Sequence, residues 1–324
     1  MLLKVYMNRD KFNQLLQASL KSEDTEEWLD VHFNRPIGLV FALLWQKLGV
    51  KPNTITILSL FLGVAAGVMF YFTDLWHNVM GVVLLMLANF CDSTDGQLAR
   101  LTNQKSLLGR ALDGVAGDFW FTAIYIALAL RMQHQFIPYT NYHWGITIWA
   151  LVVLAGIICH SPQAPLADYY RQIHLFFLLG KEGSELDNSK AQYEIYESLP
   201  KEKWFERFFH KSYGNYCRKQ ERQTPKFQQF FAKYLEVKAA GADVSAIDRK
   251  LLEGSRPLMP FANMLTFNCR AIVLYVTALL DCPWVYLLFE IFVMTAVYVH
   301  IHHRHEHLCR RLYNELETPK NSAA

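Results

Sequence analysis

Little in this chain points to a water-soluble protein or to a secreted disulfide scaffold. Only 19% of its 324 residues are charged, while 52% are hydrophobic and 14% aromatic, and the apolar residues gather in long runs. The six cysteines show no paired spacing. Cys91, Cys159 and Cys269 fall in or beside apolar segments, as small apolar side chains do, rather than as disulfides or zinc ligands. A net charge of only +3 is too slight to indicate a nucleic-acid partner. Residues 1–30 are polar and charged, without the short basic region and apolar core of a cleavable signal peptide.

What the chain does have is six apolar runs, at about 54–72, 79–91, 107–130, 145–159, 264–280 and 284–301. They predict an all-α, polytopic membrane protein with six transmembrane helices. Pro52 is placed to start the first span. The second is apolar for only thirteen residues before Asp92, so its helix must continue into the charged stretch and carry it close to one membrane face. His160-Ser161-Pro162 and Pro165 are expected to end the fourth. Residues 36–48 are too short to cross comfortably and predict an interfacial helix anchored by Trp45, Arg35 and Lys47, with a buried packing helix as the alternative. The expected organisation is a leader with the interfacial helix (1–50), spans one to four (51–160), a helical cytoplasmic insert (161–261), spans five and six (262–302) and a tail (303–324).

The basic residues orient these spans. Of 32 lysines and arginines, seven precede the first span, three lie at or near the charged stretch, sixteen lie between spans four and five, and four follow His302. The assigned outer loops hold only Arg131, and Arg270 sits inside span five. That asymmetry puts both termini and the charged stretch on the cytoplasmic side, in what would be a bacterial inner membrane.

The charged stretch is Asp92-Ser93-Thr94-Asp95-Gly96-Gln97-Leu98-Ala99-Arg100, followed after eight residues by Gly109-Arg110-Ala111-Leu112-Asp113 and then Asp118. Ionisable groups at membrane depth are expensive and usually functional. Four carboxylates within 27 residues repel one another unless cations hold them, which predicts a hard divalent-metal site, Mg²⁺ or Mn²⁺. Asp92 and Asp95 are three apart and share a helix face. Gly96, Ala99 and Gly109 keep the facing surfaces small, and Arg100 stands one turn past Gly96, where it can meet a phosphate. A helical hairpin opposing Asp92 and Asp95 to Asp113 would suit a diphosphate ligand.

The pattern Asp92-x2-Asp95-Gly96-x2-Ala99-Arg100-x8-Gly109-x3-Asp113 resembles the signature of the CDP-alcohol phosphotransferase family of integral membrane enzymes. The resemblance covers residues 35–160 by motif and 262–302 by topology. It implies cleavage of a CDP-linked donor's pyrophosphate, transfer to an alcohol and release of CMP. It further implies two divalent ions on Asp92, Asp95 and Asp113, CDP along Gly96, Ala99, Arg100 and Gly109, and a homodimer. Asn53, in a Pro-Asn-x-x-Thr step like the family's, is a candidate cytidine contact, or else a simple helix cap. The family's fourth aspartate falls at position 117, which is Gly117 here, with Asp118 beside it. Asp118 would serve as metal ligand and general base if a π-bulge absorbed the extra residue. Otherwise a water, a substrate group or another residue serves.

The donor and acceptor stay open between CDP-diacylglycerol with a polar alcohol and a CDP-linked headgroup with diacylglycerol or ceramide. A membrane scaffold without catalysis is the reading from another class. In the insert, residues 201–235 are rich in aromatic and basic side chains, suited either to lying on lipid or over the cavity, or to a self-packed helical bundle. Thirteen acids offset its sixteen bases, against a nucleic-acid patch. Tyr169, Tyr170, Arg171 and His174 are candidates to face the site. Arg270 would meet a motif aspartate, bind a substrate phosphate or headgroup, or snorkel. His300, His302, His303, His305 and His307 are expected in a solvated or headgroup-contacting tail.

Overall fold

The computed structural model describes residues 9–19, 22, 24–104 and 107–318. The described residues are helical apart from loops and one isolated bridge between Phe136 and His143. In chain order the helices are α1 (Arg9–Ser19), α2 (Arg35–Lys47), α3 (Pro52–Phe70), α4 (Leu75–Thr102), α5 (Leu107–Met132), α6 (Thr147–Val153), α7 (Ser161–Leu179) and α8 (Ser189–Ser198). Then follow α9 (Trp204–Gln223), α10 (Pro225–Ala239), α11 (Ser245–Ser255), α12 (Met259–Met264), α13 (Phe267–Leu279), α14 (Trp284–Leu288) and α15 (Thr295–Glu317). Among the described residues, six stretches are long and apolar enough to cross a bilayer: Pro52–Phe70, Leu75–Thr102, Leu112–Met132, Thr147–Leu179, Ser245–Leu279 and Trp284–Glu317. The protein is a polytopic, all-α membrane protein.

Among the described residues, three segments wind as π-helix: Asp30–Asn34, Leu154–His160 between α6 and α7, and Phe289–Met294 between α14 and α15. The second corrects the expected end of span four at His160-Ser161-Pro162. Helical winding runs through both Pro162 and Pro165 to Leu179. Proline lacks an amide proton and crowds the carbonyl four residues back. For Pro162 that carbonyl is on Ile158, inside the wider π turn, which relieves the conflict.

The helices fall into two compact units, Met1–Pro162 with Phe267–Met294, and Gln163–Thr266 with Thr295–Ala324. In the first, α3 packs along both α4 and α5. Small residues make the close approach possible. A Cβ on Gly67 would lie 2.8 Å from the Ala123 Cβ, and one on Gly63 would overlap the Trp120 ring. Ala66, Phe70, Leu85, Ala88, Trp120 and Ile124 form the buried seam, whereas Phe61, Val68, Val83 and Phe119 point outward, as lipid-facing side chains do.

Polar contacts fix the ends of this bundle. Asp74 caps α4, accepting from the His77 amide at 3.2 Å, a bond that holds its carboxyl below the ordinary range. Asn103, in a left-handed conformation at φ 53°, closes the same helix. Arg131 is a buried staple. Its Nη1 donates to the Phe70 carbonyl at 3.0 Å and to Asn78 Oδ1 at 2.8 Å, and its Nη2 to Asp281 Oδ1 at 2.6 Å. These bonds join the end of α3, the start of α4 and the turn after α13.

In the second unit α10 packs on α15, and Phe227, Phe230 and Tyr234 are buried with Phe177 against them. The aromatic residues of α10 therefore form a self-packed core, while Trp204 and Phe208 on α9 stay exposed. The histidines expected in a solvated tail lie on α15. There His302 bonds the Tyr170 hydroxyl at 2.8 Å, and His305 is fully buried against Tyr170 and Phe227. Ile301, His305, Leu308 and Leu312 recur at helical spacing on the buried face, which draws His305 inward.

Gly67→Ala tests the α3–α5 seam. The added methyl meets Ala123 backbone at 2.9 Å, and overpacking of this kind costs about 1–3 kcal/mol. Thermal unfolding in detergent should show a lower Tm, and an unchanged Tm would contradict the seam.

Candidate metal centre

The charged stretch completes α4 and the turn into α5. Thr94, Asp95, Gln97 and Leu98 are buried on α4. Gln97 Nε2 donates to the Arg35 carbonyl at 3.2 Å, which seats α2 on this turn. Across the α4–α5 hairpin, Asp92, Asp95 and Asp113 each offer a carboxylate oxygen, and the three oxygens lie within 4.8 Å of one another. Asp92 is half-buried, Asp95 buried and Asp113 exposed. Three hard-oxygen donors converging from two helices fit Mg²⁺ or Mn²⁺ in kind, and three negative charges this close call for a cation. α3 contributes a further group: the Thr56 hydroxyl donates to Asp95 Oδ2. Both residues are nearly inaccessible, so this bond sets the orientation of the carboxylate.

The other predicted site residues are distributed as follows. A Cβ built on Gly96 would meet only the Arg100 guanidinium, with Nη1 at 3.5 Å, so Arg100 lies along the bare surface that Gly96 leaves. Ala99 is half-buried on the same helix, Gly109 is in the first turns of α5, and Asn53 is half-buried one turn before Thr56. Asp118 stands outside the trio and is exposed. The π-bulge that would turn it inward is not formed, because α5 is α-helical throughout Leu107–Met132. Five residues then carry Asp118 about 140° round from Asp113.

Arg270 is wholly buried and pairs with Glu290 on the last π segment, a partner not weighed in the sequence. The signal was present: two apolar spans each hold one charge, of opposite sign. Arg171 pairs with Asp168 at 3.1 Å. Its neighbours Tyr169, Tyr170 and His174 take Gln228, His302 and Ser255, all within the second unit.

A polytopic membrane protein with a carboxylate cation site on a helical hairpin is the class these features define. Residues 50–178, the stretch that carries the charged motif, match the family model described as CDP-alcohol phosphatidyltransferase. Among similar proteins, the bifunctional IPC transferase and DIPP synthase of Aquifex aeolicus is 27% identical over 142 residues, 42% of this chain and 30% of that one. The CDP-diacylglycerol–glycerol-3-phosphate 3-phosphatidyltransferase of Cereibacter sphaeroides is 41% identical over 66 residues, 20% of this chain and 30% of that enzyme. The archaetidylinositol phosphate synthase of Pyrococcus horikoshii is 31% identical over 84 residues, 26% of this chain and 43% of that one. The chain thus spans less than half the length of these curated relatives.

Thr56→Val removes the hydroxyl on Asp95 while keeping the side chain's shape. Loss of such an outer partner typically weakens metal binding about 10–100-fold. Mn²⁺ titration of the purified protein followed by electron paramagnetic resonance should show this. Unchanged affinity would mean that Thr56 does not orient the ligand.

Proposed function

We propose that this protein transfers a phosphatidyl group from CDP-diacylglycerol to a polar, phosphorylated alcohol and releases CMP. The observation that carries the reading is the convergence of Asp92, Asp95 and Asp113 within one family motif. Two of the relatives are named for phosphorylated polar products or acceptors, and one of those for CDP-diacylglycerol as donor, which favours this direction over delivery of a CDP-linked headgroup to diacylglycerol or ceramide.

A pair of Mg²⁺ or Mn²⁺ ions held by the three aspartates would neutralise the donor's diphosphate and draw charge from the phosphorus under attack. The chain's own groups do the rest. Thr56 keeps Asp95 turned toward the other two carboxylates. Gly96 leaves the α4 surface low enough for the diphosphate to lie on it, where Arg100 offsets phosphate charge. Asn53 and Ala99 border the cytidine end, and Gly109 leaves room on α5. The acceptor hydroxyl attacks the phosphorus next to the departing CMP. Its proton passes to a water or to a substrate group, since regular winding of α5 turns Asp118 about 140° away from Asp113. The distribution of basic residues supports a cytoplasmic position for this centre and both termini, in what would be a bacterial inner membrane. A homodimer is carried over from the family resemblance.

Asp92→Ala and Asp113→Ala should each abolish CMP release, with the variant still present in the membrane fraction. Turnover retained by either would count heavily against the centre. Incubating the purified protein with radiolabelled CDP-diacylglycerol or, separately, CDP-linked headgroups shows the direction of transfer: label should enter lipid product only from the former.

A further inference from the structure

Helix α9 meets its neighbour with one side and leaves the opposite side bare. It packs on α8, where a Cβ on Gly214 would meet the Tyr193 ring at 3.1 Å. Phe209, Cys217 and Gln220 are buried with Gly214. Measured round the helix from Trp204, these four lie between about 140° and 280°. Arg222 falls at about 0°, Phe208 at about 40°, Lys219 at about 60°, Lys211 at about −20° and Arg218 at about −40°. All five, and Trp204 itself, are exposed.

The bare side holds cations and no acid. Both acids of α9 are turned away from it and occupied. Glu206, at about 200°, pairs with Lys203 at 3.1 Å. Glu221, at about 260°, accepts from the Ser189 amide and hydroxyl at 2.7 and 2.6 Å. Arg218 lies over the Tyr193 ring, 4.5 Å from its centroid. Lys211, Lys219 and Arg222 make no ion pair among the described residues. They run along about 16 Å of one helix face, a row of positive charge that complements an extended anionic surface.

The same side starts with two aromatics. Trp204 and Phe208 stand one turn apart and are 72% and 64% exposed, while the α10 aromatics close their own core without them. A bilayer interface answers both features. Indole and phenyl rings settle at the level of the headgroups, and lysines and arginines beside them meet the lipid phosphates. The unit that carries α9 is chained to a bilayer, because its α7 and α15 complete stretches long and apolar enough to cross one.

We propose that the bare side of α9 docks on the bilayer that the chain spans. Trp204 and Phe208 sit at headgroup level, and Lys211, Arg218, Lys219 and Arg222 meet the phosphates of anionic lipids. The helix then lies along the surface, since aromatics and cations share one face. This stands independently of the reaction, because none of these residues belongs to the metal centre.

Hydroxyl-radical footprinting of the full chain tests the docking. The protein is placed in nanodiscs of phosphatidylcholine alone, or of equal parts phosphatidylcholine and phosphatidylglycerol. Oxidation of Trp204 and Phe208, followed by mass spectrometry, should be at least about fivefold slower in the anionic discs, the factor that about 1 kcal/mol from a single cation near such a surface supplies. Lys211→Gln, Lys219→Gln and Arg222→Gln combined should remove the difference without changing the Tm. Molar salt, which shortens the Debye length to about 3 Å, should remove it too. Equal oxidation of the two aromatics in both lipids would overturn the proposal. So would protection that survives the triple substitution, or protection in detergent that disappears on dilution, as contact with a second copy of the chain would give.

Discussion

Three carboxylates held on two helices with oxygens within 4.8 Å of one another are a standing repulsion. At an effective dielectric constant of about 20, each pair costs about 3–4 kcal/mol. A hairpin free to move would open. The structure resists that opening through the α3 seam: Gly67 against Ala123, Trp120 over Gly63, and Thr56 bonded to Asp95. At the other end of the bundle, Arg131 ties the end of α3 to Asn78 and Asp281. Helix packing thus holds a geometry that the charges alone would abandon, and a bound cation turns the repulsion into attraction.

The same packing keeps Asp118 out of the trio. Had α5 bulged to bring a fourth carboxylate into the trio, the register of Trp120 over Gly63 and of Ala123 against Gly67 would have shifted with it. Instead the helix is regular and the fourth carboxylate stands on a neighbouring face. Position 117, a glycine, leaves open space. Asp113 and Asp118 thus stand on different faces of one helix.

Much of this was legible in the sequence because it depends on local spacing. Apolar run lengths gave the six spans, and the thirteen apolar residues before Asp92 required α4 to carry the motif. Asp92 and Asp95 on one face, opposed to Asp113 across a short turn, followed from helix geometry. What was not legible depends on contacts distant in sequence. Arg270 read as a group in search of a motif aspartate, a substrate phosphate or the interface because Glu290 lies twenty residues away, beyond a turn. Pro162 read as a helix end because a π segment leaves no mark in hydropathy. His305 read as part of a polar tail because the α10 face that covers it is about eighty residues upstream. The resemblance to the family supplied the chemistry, but the chain's own residues decided where the fourth carboxylate stands.

The central claim, that Asp92, Asp95 and Asp113 share cations, is tested most directly by crystals of the protein grown with Mn²⁺ and measured at the manganese edge. The account predicts an anomalous peak at coordination distance, about 2.0–2.3 Å, from oxygens of all three aspartates. Well-ordered aspartates without a peak, or manganese bound elsewhere, would contradict it.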